Sequence, residues 1–191
     1  MDSTNKLTKV IAIYSAGHGS GKSTLARFLC DYLTDKDHNV AIKSFAENIK
    51  AMAWNLLDYE TVYRKKDEPC EKLYGKTPRD LLIVIGEALK EKIGKRIFAD
   101  ALIRDIEESD ADIVIIDDLR FPVELLRLRE EYGPDLCVVY LEGPVDNPNQ
   151  DPSTEGLIDE GEADVHITNI GTFGQLYDKA VFIATEVLGI E

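Results

Sequence analysis

An α/β domain with a five-stranded parallel sheet flanked by helices is predicted by three features of the sequence. Short apolar, β-branched runs at 10–14 and 113–116 have the continuity of strands buried on both faces. Segments with apolar residues at helical spacing alternate with these runs, as crossover helices between parallel strands require. The chain has 191 residues, 44% of them hydrophobic, enough for one domain with a sizeable core.

The run at 10–14, Val-Ile-Ala-Ile-Tyr, reads as the first strand, and the Gly-rich stretch 16–21 as the loop that leaves it. From Lys22 the period changes, with Leu25, Phe28, Leu29, Tyr32 and Leu33 on one helical face. A second strand is expected at 40–45, followed by a helix marked by Ile49, Met52, Ala53, Leu56 and Leu57. Residues 59–77 are polar and read as irregular. Pro78 suits the first turn of a helix that continues through Leu81, Leu82, Ile85 and Leu89, and Gly94 separates it from another helix at 98–108. The third strand, 113–116, ends in Asp117 and Asp118. A short helix at 124–131, strands at 136–141 and 165–168, and a last helix at 175–188 complete the pattern. Residues between 142 and 164 are rich in Pro, Asp and Gly and read as a mobile loop.

Lysine and arginine number 22 against 36 aspartates and glutamates, a formal net charge of −14. Such a field repels phosphate polymers and anionic bilayers, so neither a nucleic-acid coat protein nor a membrane-surface protein is expected. The charge is uneven: +1 over residues 1–42, +3 over 43–104, −8 over 105–141 and −10 over 142–191. Any side-chain site for a small anion therefore draws on 43–104. Cys30, Cys70 and Cys137 are dispersed, with no paired CxxC spacing, which fits a reducing compartment and offers neither a zinc site nor a disulfide framework. No apolar run approaches the roughly 20 residues of a membrane span, and the polar start lacks a signal-peptide core. Cytoplasmic localisation is the expectation.

Chemistry enters at Ala16-Gly17-His18-Gly19-Ser20-Gly21-Lys22-Ser23, which has the spacing of a phosphate loop (P-loop) and lies between a strand and a helix. Small residues let successive backbone N–H groups curl around a phosphate at the positive end of the following helix. Lys22 would reach the β and γ oxygens of a nucleoside triphosphate, and Ser23, followed by Thr24, would ligate Mg²⁺. His18 sits where the backbone matters more than the side chain. Asp117 and Asp118, at the end of an apolar strand, supply the acidic group that holds a hydrated Mg²⁺; the sequence does not choose between them. ATP and Mg²⁺ are the expected cofactors.

The spacing excludes some users of such a loop. There is no Asn-Lys-x-Asp guanine-reading motif, and no second lysine early in the loop. The basic stretch after the second strand suits a small-molecule kinase, because an acceptor that is itself a phosphate must be held against a triphosphate that repels it. Lys50, Lys66 and Arg79 are the candidates there, with Arg64 and Lys65 also available. Arg120, two residues past Asp118, would project beside the metal and act with Lys22 and Asp117 in the transfer. Residues 142–178 contain no lysine or arginine, so Arg127 and Arg129 are the expected cations of a short lid at about 120–133.

Several segments together resemble the deoxynucleoside monophosphate kinases of tailed bacteriophages. They are Phe45-Ala46-x-x-Ile49-Lys50, Lys66-Asp67, Gly75-Lys76-Thr77-Pro78-Arg79-Asp80-Leu81-Leu82 with Gly86, Asp117-Asp118-Leu119-Arg120-Phe121-Pro122-Val123-Glu124, and Ala163-Asp164-Val165-His166-Ile167-Thr168-Asn169. The resemblance spans roughly residues 9–182. It implies a P-loop nucleoside monophosphate kinase-like fold, with a core at 9–45 and 96–191 and a helical substrate-binding insertion at about 46–95. It also implies ATP–Mg²⁺ as donor and a deoxynucleoside 5′-monophosphate as acceptor. By that resemblance Lys50, Arg79 and Arg120 would grip the acceptor phosphate, while Phe45 and nearby side chains border its base and sugar; Lys66 and Glu124 are further candidates for substrate binding. Where such kinases commonly read Leu-Leu-Gln, this chain has Leu81-Leu82-Ile83, and an apolar Ile83 cannot hydrogen-bond a base. Two other readings stay open: a kinase of another small phosphorylated metabolite, phosphomevalonate-like, and a nucleotide-dependent switch or assembly ATPase. A homodimer is also left open.

Overall fold

The computed structural model describes residues 8–17, 19–144 and 157–190. Its centre is one parallel sheet of five strands: β1 (Lys9–Tyr14), β2 (Val40–Lys43), β3 (Ile113–Ile116), β4 (Leu136–Glu142) and β5 (Val165–Thr168). Their spatial order is β2-β3-β1-β4-β5. The strand alternation of period two divides the core between two faces. Val10, Ala12, Val114, Ile116 and Val138 turn to one side, and Ile11, Ile13, Ile113, Ile115 and Val139 to the other. The first face is covered by α5 (Ile97–Glu107) through Leu102, Ile103 and Ile106, and by α6 (Pro122–Tyr132) through Leu125 and Leu128. The second is covered by α1 (Lys22–Asp35) through Leu25, Leu29 and Leu33, and by α7 (Phe173–Phe182) through Leu176 and Ala180.

Between β2 and α5 the chain makes the helical insertion: α2 (Phe45–Trp54), α3 (Tyr59–Tyr63) and α4 (Pro78–Lys92). Two boundaries differ from the sequence expectation. Strand β2 stops at Lys43, and Phe45 opens α2 instead of ending the strand, because Asp118 from the end of β3 accepts from the Phe45 and Ala46 amides. Within the stretch read as irregular, α3 forms because Asp58 caps it, accepting from the Thr61 amide at 2.9 Å. Helix α4 begins with a full capping box between Thr77 and Asp80, with Pro78 in its first turn.

The strand order changes direction about β1, which lies between β3 and β4. Carboxyl ends of strands at such a switch point leave a crevice for ligands. Here the loops after β1, β3, β4 and β5 all meet there. The Asn169 amide nitrogen bonds the Glu142 carbonyl, and the Asn169 side chain donates to the Ser20 carbonyl at 2.8 Å. No helix among the described residues is long and apolar enough to cross a membrane.

Candidate active site

The Gly-rich loop leaves β1 and turns into α1 through Gly19 and Gly21, at φ values of 82° and 99°, a region that side chains disfavour. Two outside residues fix the loop. A Cβ on Gly21 would come within 2.5 Å of the Asn169 amide, and a Cβ on Gly143, just after β4, would come within 2.5–2.8 Å of Ser20. Gly143 is therefore demanded by close approach to backbone, whereas at Gly21 the near atom ends a side chain and the left-handed φ makes the demand. Lys22 is buried, and its ammonium donates to Ser15 Oγ at 2.6 Å, to the Gly17 carbonyl at 3.1 Å and to Ser20 Oγ at 3.4 Å. These partners hold the amine over the loop. His18 lies outside the described residues.

A single cavity of about 780 Å³ joins this loop to the helical insertion. Gly19, Ser20, Gly21, Lys22, Ser23 and Thr24 form one wall, while Gly17 contributes its carbonyl to Lys22 from behind. Asp117 and Asp118 enter from the end of β3, and Arg120, Phe121 and Glu124 from the turn into α6. Phe45, Ile49 and Lys50 enter from α2, Lys66 from the segment before α4, and Arg79 from α4 itself. Spacing places Arg79, Ile83, Gly86 and Lys90 along one face of that helix. Gly86 lets α4 approach α2, since a Cβ there would stand 3.4 Å from Ile49 Cδ1.

The two aspartates do different work. Both oxygens of Asp118 are engaged, accepting from Ser44 Oγ at 2.6 Å, the Phe45 amide at 2.9 Å and the Ala46 amide at 3.0 Å. Burial pushes this carboxyl above the usual carboxylate range, and those three donors oppose the push. Asp118 thus anchors the start of α2 to β3, and Asp117 is the carboxylate left to face the loop. Glu124 is also committed to structure on one side: its Oε2 accepts from the Arg120 and Phe121 amides at 3.2 and 3.0 Å. Burial raises its carboxyl to about 7.

The acceptor-side cations are held in pairs. Lys50 lies 3.5 Å from Glu47 and 5.3 Å from the centre of the Tyr63 ring. Arg79 is paired with Asp67, and its amide bonds the Lys66 carbonyl, which ties the 66–67 segment to the start of α4. Two expected cations are absent from the cavity, and the lid reading is corrected on that account. Leu125 and Leu128 are buried in the core, which turns Arg127 and Arg129 away. Arg127 bonds Asp100 and Glu131, both at 2.8 Å. Arg129 pairs with Glu162 and lines a separate cavity beside Lys9 and Leu136, where the strands begin. Helix α6 is thus a core layer rather than a lid.

Some residues of the site escaped the sequence reading. Ser44 had a visible signal, a small hydroxyl residue just before a helical segment. Lys90 could have been found by extending the Arg79 face of α4 by three turns. Gly143 carried none, because the demand for glycine comes from Ser20, more than a hundred residues away.

The residues present fit a nucleoside triphosphate with its Mg²⁺. Ser23 is exposed and lines the same cavity as Asp117, but no group of three ligating side chains exists among the described residues. A Mg²⁺ ion with few protein ligands requires phosphate oxygens to complete its shell.

No protein-family model matches the sequence, and no curated protein matches it. Solved structures do match. The APS kinase CysC of Mycobacterium tuberculosis in complex with AMPPNP and APS superposes with a TM-score of 0.52 at 12% identity, covering 91% of this chain and 96% of that one. A shikimate kinase from Acinetobacter baumannii in complex with shikimate gives 0.48 at 13% identity, over 96% and 95% of the two chains. A gluconokinase from Sinorhizobium meliloti gives 0.47 at 13%, over 95% and 94%. At such identity the likeness to the APS kinase shows the architecture alone: this chain, with its five-stranded, all-parallel sheet flanked by helices, shares the fold of that structure.

Proposed function

We propose that the protein is an ATP-dependent phosphotransferase that phosphorylates a deoxynucleoside 5′-monophosphate to the diphosphate. The observation that carries this reading is the one continuous cavity, with a phosphate loop and Asp117 on one wall and Lys50, Lys66, Arg79 and Arg120 on the other. A nucleotide switch needs only the first wall. The apolar and aromatic side chains among the cations, Phe45, Ile49 and Phe121, suit an acceptor with a flat ring beyond its phosphate.

ATP–Mg²⁺, when bound, supplies the transferable γ-phosphoryl group and neutralises charge between the β and γ positions. The loop amides and Lys22 cradle the triphosphate, and Ser23 and Asp117 would hold its ion. Arg79, Lys50 and Arg120 would draw the acceptor phosphate into line by neutralising it. Paired carboxylates on Lys50 and Arg79 keep both side chains oriented until a phosphate competes for them. The acceptor oxygen bonds to the γ-phosphorus as the bond to ADP breaks, and little general-base help is needed.

A coupled ADP-release assay across the deoxynucleoside and ribonucleoside monophosphates tests the proposal, with phosphomevalonate and adenylyl sulfate as controls. ADP release that depends on a monophosphate nucleotide is expected. Stimulation only by another metabolite would move the reading to a metabolite kinase, and slow release independent of every acceptor would move it to a switch.

A further inference from the structure

Lys90 lines the cavity from the C-terminal part of α4 and is not among the cations assigned to the phosphates. Lys90 lies three turns beyond Arg79 on the same face of α4, about 16 Å along the axis at the ordinary helical rise. Its ammonium stands 3.5 Å from the centre of the Phe121 ring and 6.0 Å from that of Phe98. Among the described residues, no carboxylate comes within ion-pair distance of it and no acceptor bonds it. Burial lowers its pKa; Glu124 and Glu87 oppose that through their fields, and the neighbouring Arg120 charge adds to it. A half-buried ammonium with three donors that rests on ring faces and bonds no acceptor is costly unless something hydrogen-bonds it. All the groups around it line the same cavity.

Resting on the nucleotide reading above, we propose that Lys90 determines specificity for the acceptor base: its ammonium donates to a carbonyl oxygen on the base edge remote from the phosphate. Three features of the cavity select this role. Lys50 on α2, Arg79 on α4 and Arg120 after β3 already provide for the acceptor phosphate. The rings of Phe98 and Phe121 offer the flat, non-bonding surroundings that suit a heterocycle. An ammonium can only donate, so the ligand atom it meets must accept, and a carbonyl oxygen does so most strongly. Ile83, on the same face, is apolar and leaves this reading to Lys90.

The test uses matched acceptors that differ by that oxygen: deoxyinosine monophosphate against purine deoxyriboside monophosphate, and deoxyuridine monophosphate against its 4-deoxy analogue. Wild type should favour the oxo member of an accepted pair by about tenfold or more in kcat/KM, since a site built to bond a group rejects the analogue lacking it. Lys90→Met keeps the stem and removes the donors; it should reduce that preference to within about threefold by raising KM, with kcat little changed. Lys90→Arg should restore the preference. Equal preference in wild type and Lys90→Met, or none in wild type, overturns the role of Lys90 while leaving the nucleotide reading intact. Turnover of no nucleotide overturns both.

Discussion

Lys22, Asp117, Asp118 and Glu124 are all charged and all line the cavity, yet they do different things, and substitution separates them. Lys22→Ala should fold, because Ser15, Gly17 and Ser20, which accept from its ammonium, lie within or beside its own loop, and should lower turnover at least about a hundredfold in initial-rate assays. Asp118→Ala strands Ser44 and two helix amides, so chemical denaturation should show a loss of about 1–2 kcal/mol. Asp117→Asn should leave stability within about 0.5 kcal/mol and raise the Mg²⁺ concentration needed for half-maximal rate. Glu124 carries the pH dependence. Its folded value of about 7 lies above the ordinary 4.5, so the folded state binds the proton more tightly. The stability this confers is complete below the unfolded value and is lost as pH rises through 7. Glu124→Gln should therefore gain on wild type by on the order of 2 kcal/mol between about pH 5 and about pH 8. Parallel stability profiles would remove that role. The sequence placed two aspartates at a strand end but was silent on which one faces the loop, since that depends on Ser44 and the start of α2.

At the scale of elements, the strands and the long helices were legible because their periods differ, and the Gly-rich turn between β1 and α1 was legible because small residues interrupt both periods there. Helix α6 was misread as a lid for an equally physical reason. Charge along the chain showed where cations were scarce, but only the packing of Leu125 and Leu128 shows that α6 lies on the sheet with Arg127 and Arg129 turned away. The clamp on the loop was not legible at all. Gly143 follows β4 and touches Ser20, so it couples the end of one strand to the loop of another. Gly143→Ala should displace the loop, raising KM for ATP by roughly tenfold while KM for the acceptor stays within about twofold, because a buried Cβ clash forces backbone movement. Unchanged ATP affinity would show that the loop is not held there.

Across the whole molecule the acidic excess and the cationic cavity are separate. The −8 and −10 segments form the second half of the core, whereas the +3 segment supplies the insertion that faces the phosphate loop. A body of that sign disfavours polyanions and leaves room for one small phosphate ester, and its cations sit in a partly open cleft. Acceptor KM should therefore rise several-fold as salt goes from about 0.05 to about 0.5 M, with a smaller change in kcat, because screening weakens attraction over the Debye length. The central claim is that one phosphoryl group leaves ATP and arrives on an acceptor phosphate. Phosphorus NMR of the protein with ATP, Mg²⁺ and a deoxynucleoside monophosphate reads this directly. The account requires the acceptor's β-phosphorus signal to grow in step with ADP, with inorganic phosphate absent; ADP and inorganic phosphate in equal amounts, indifferent to the acceptor, would contradict it.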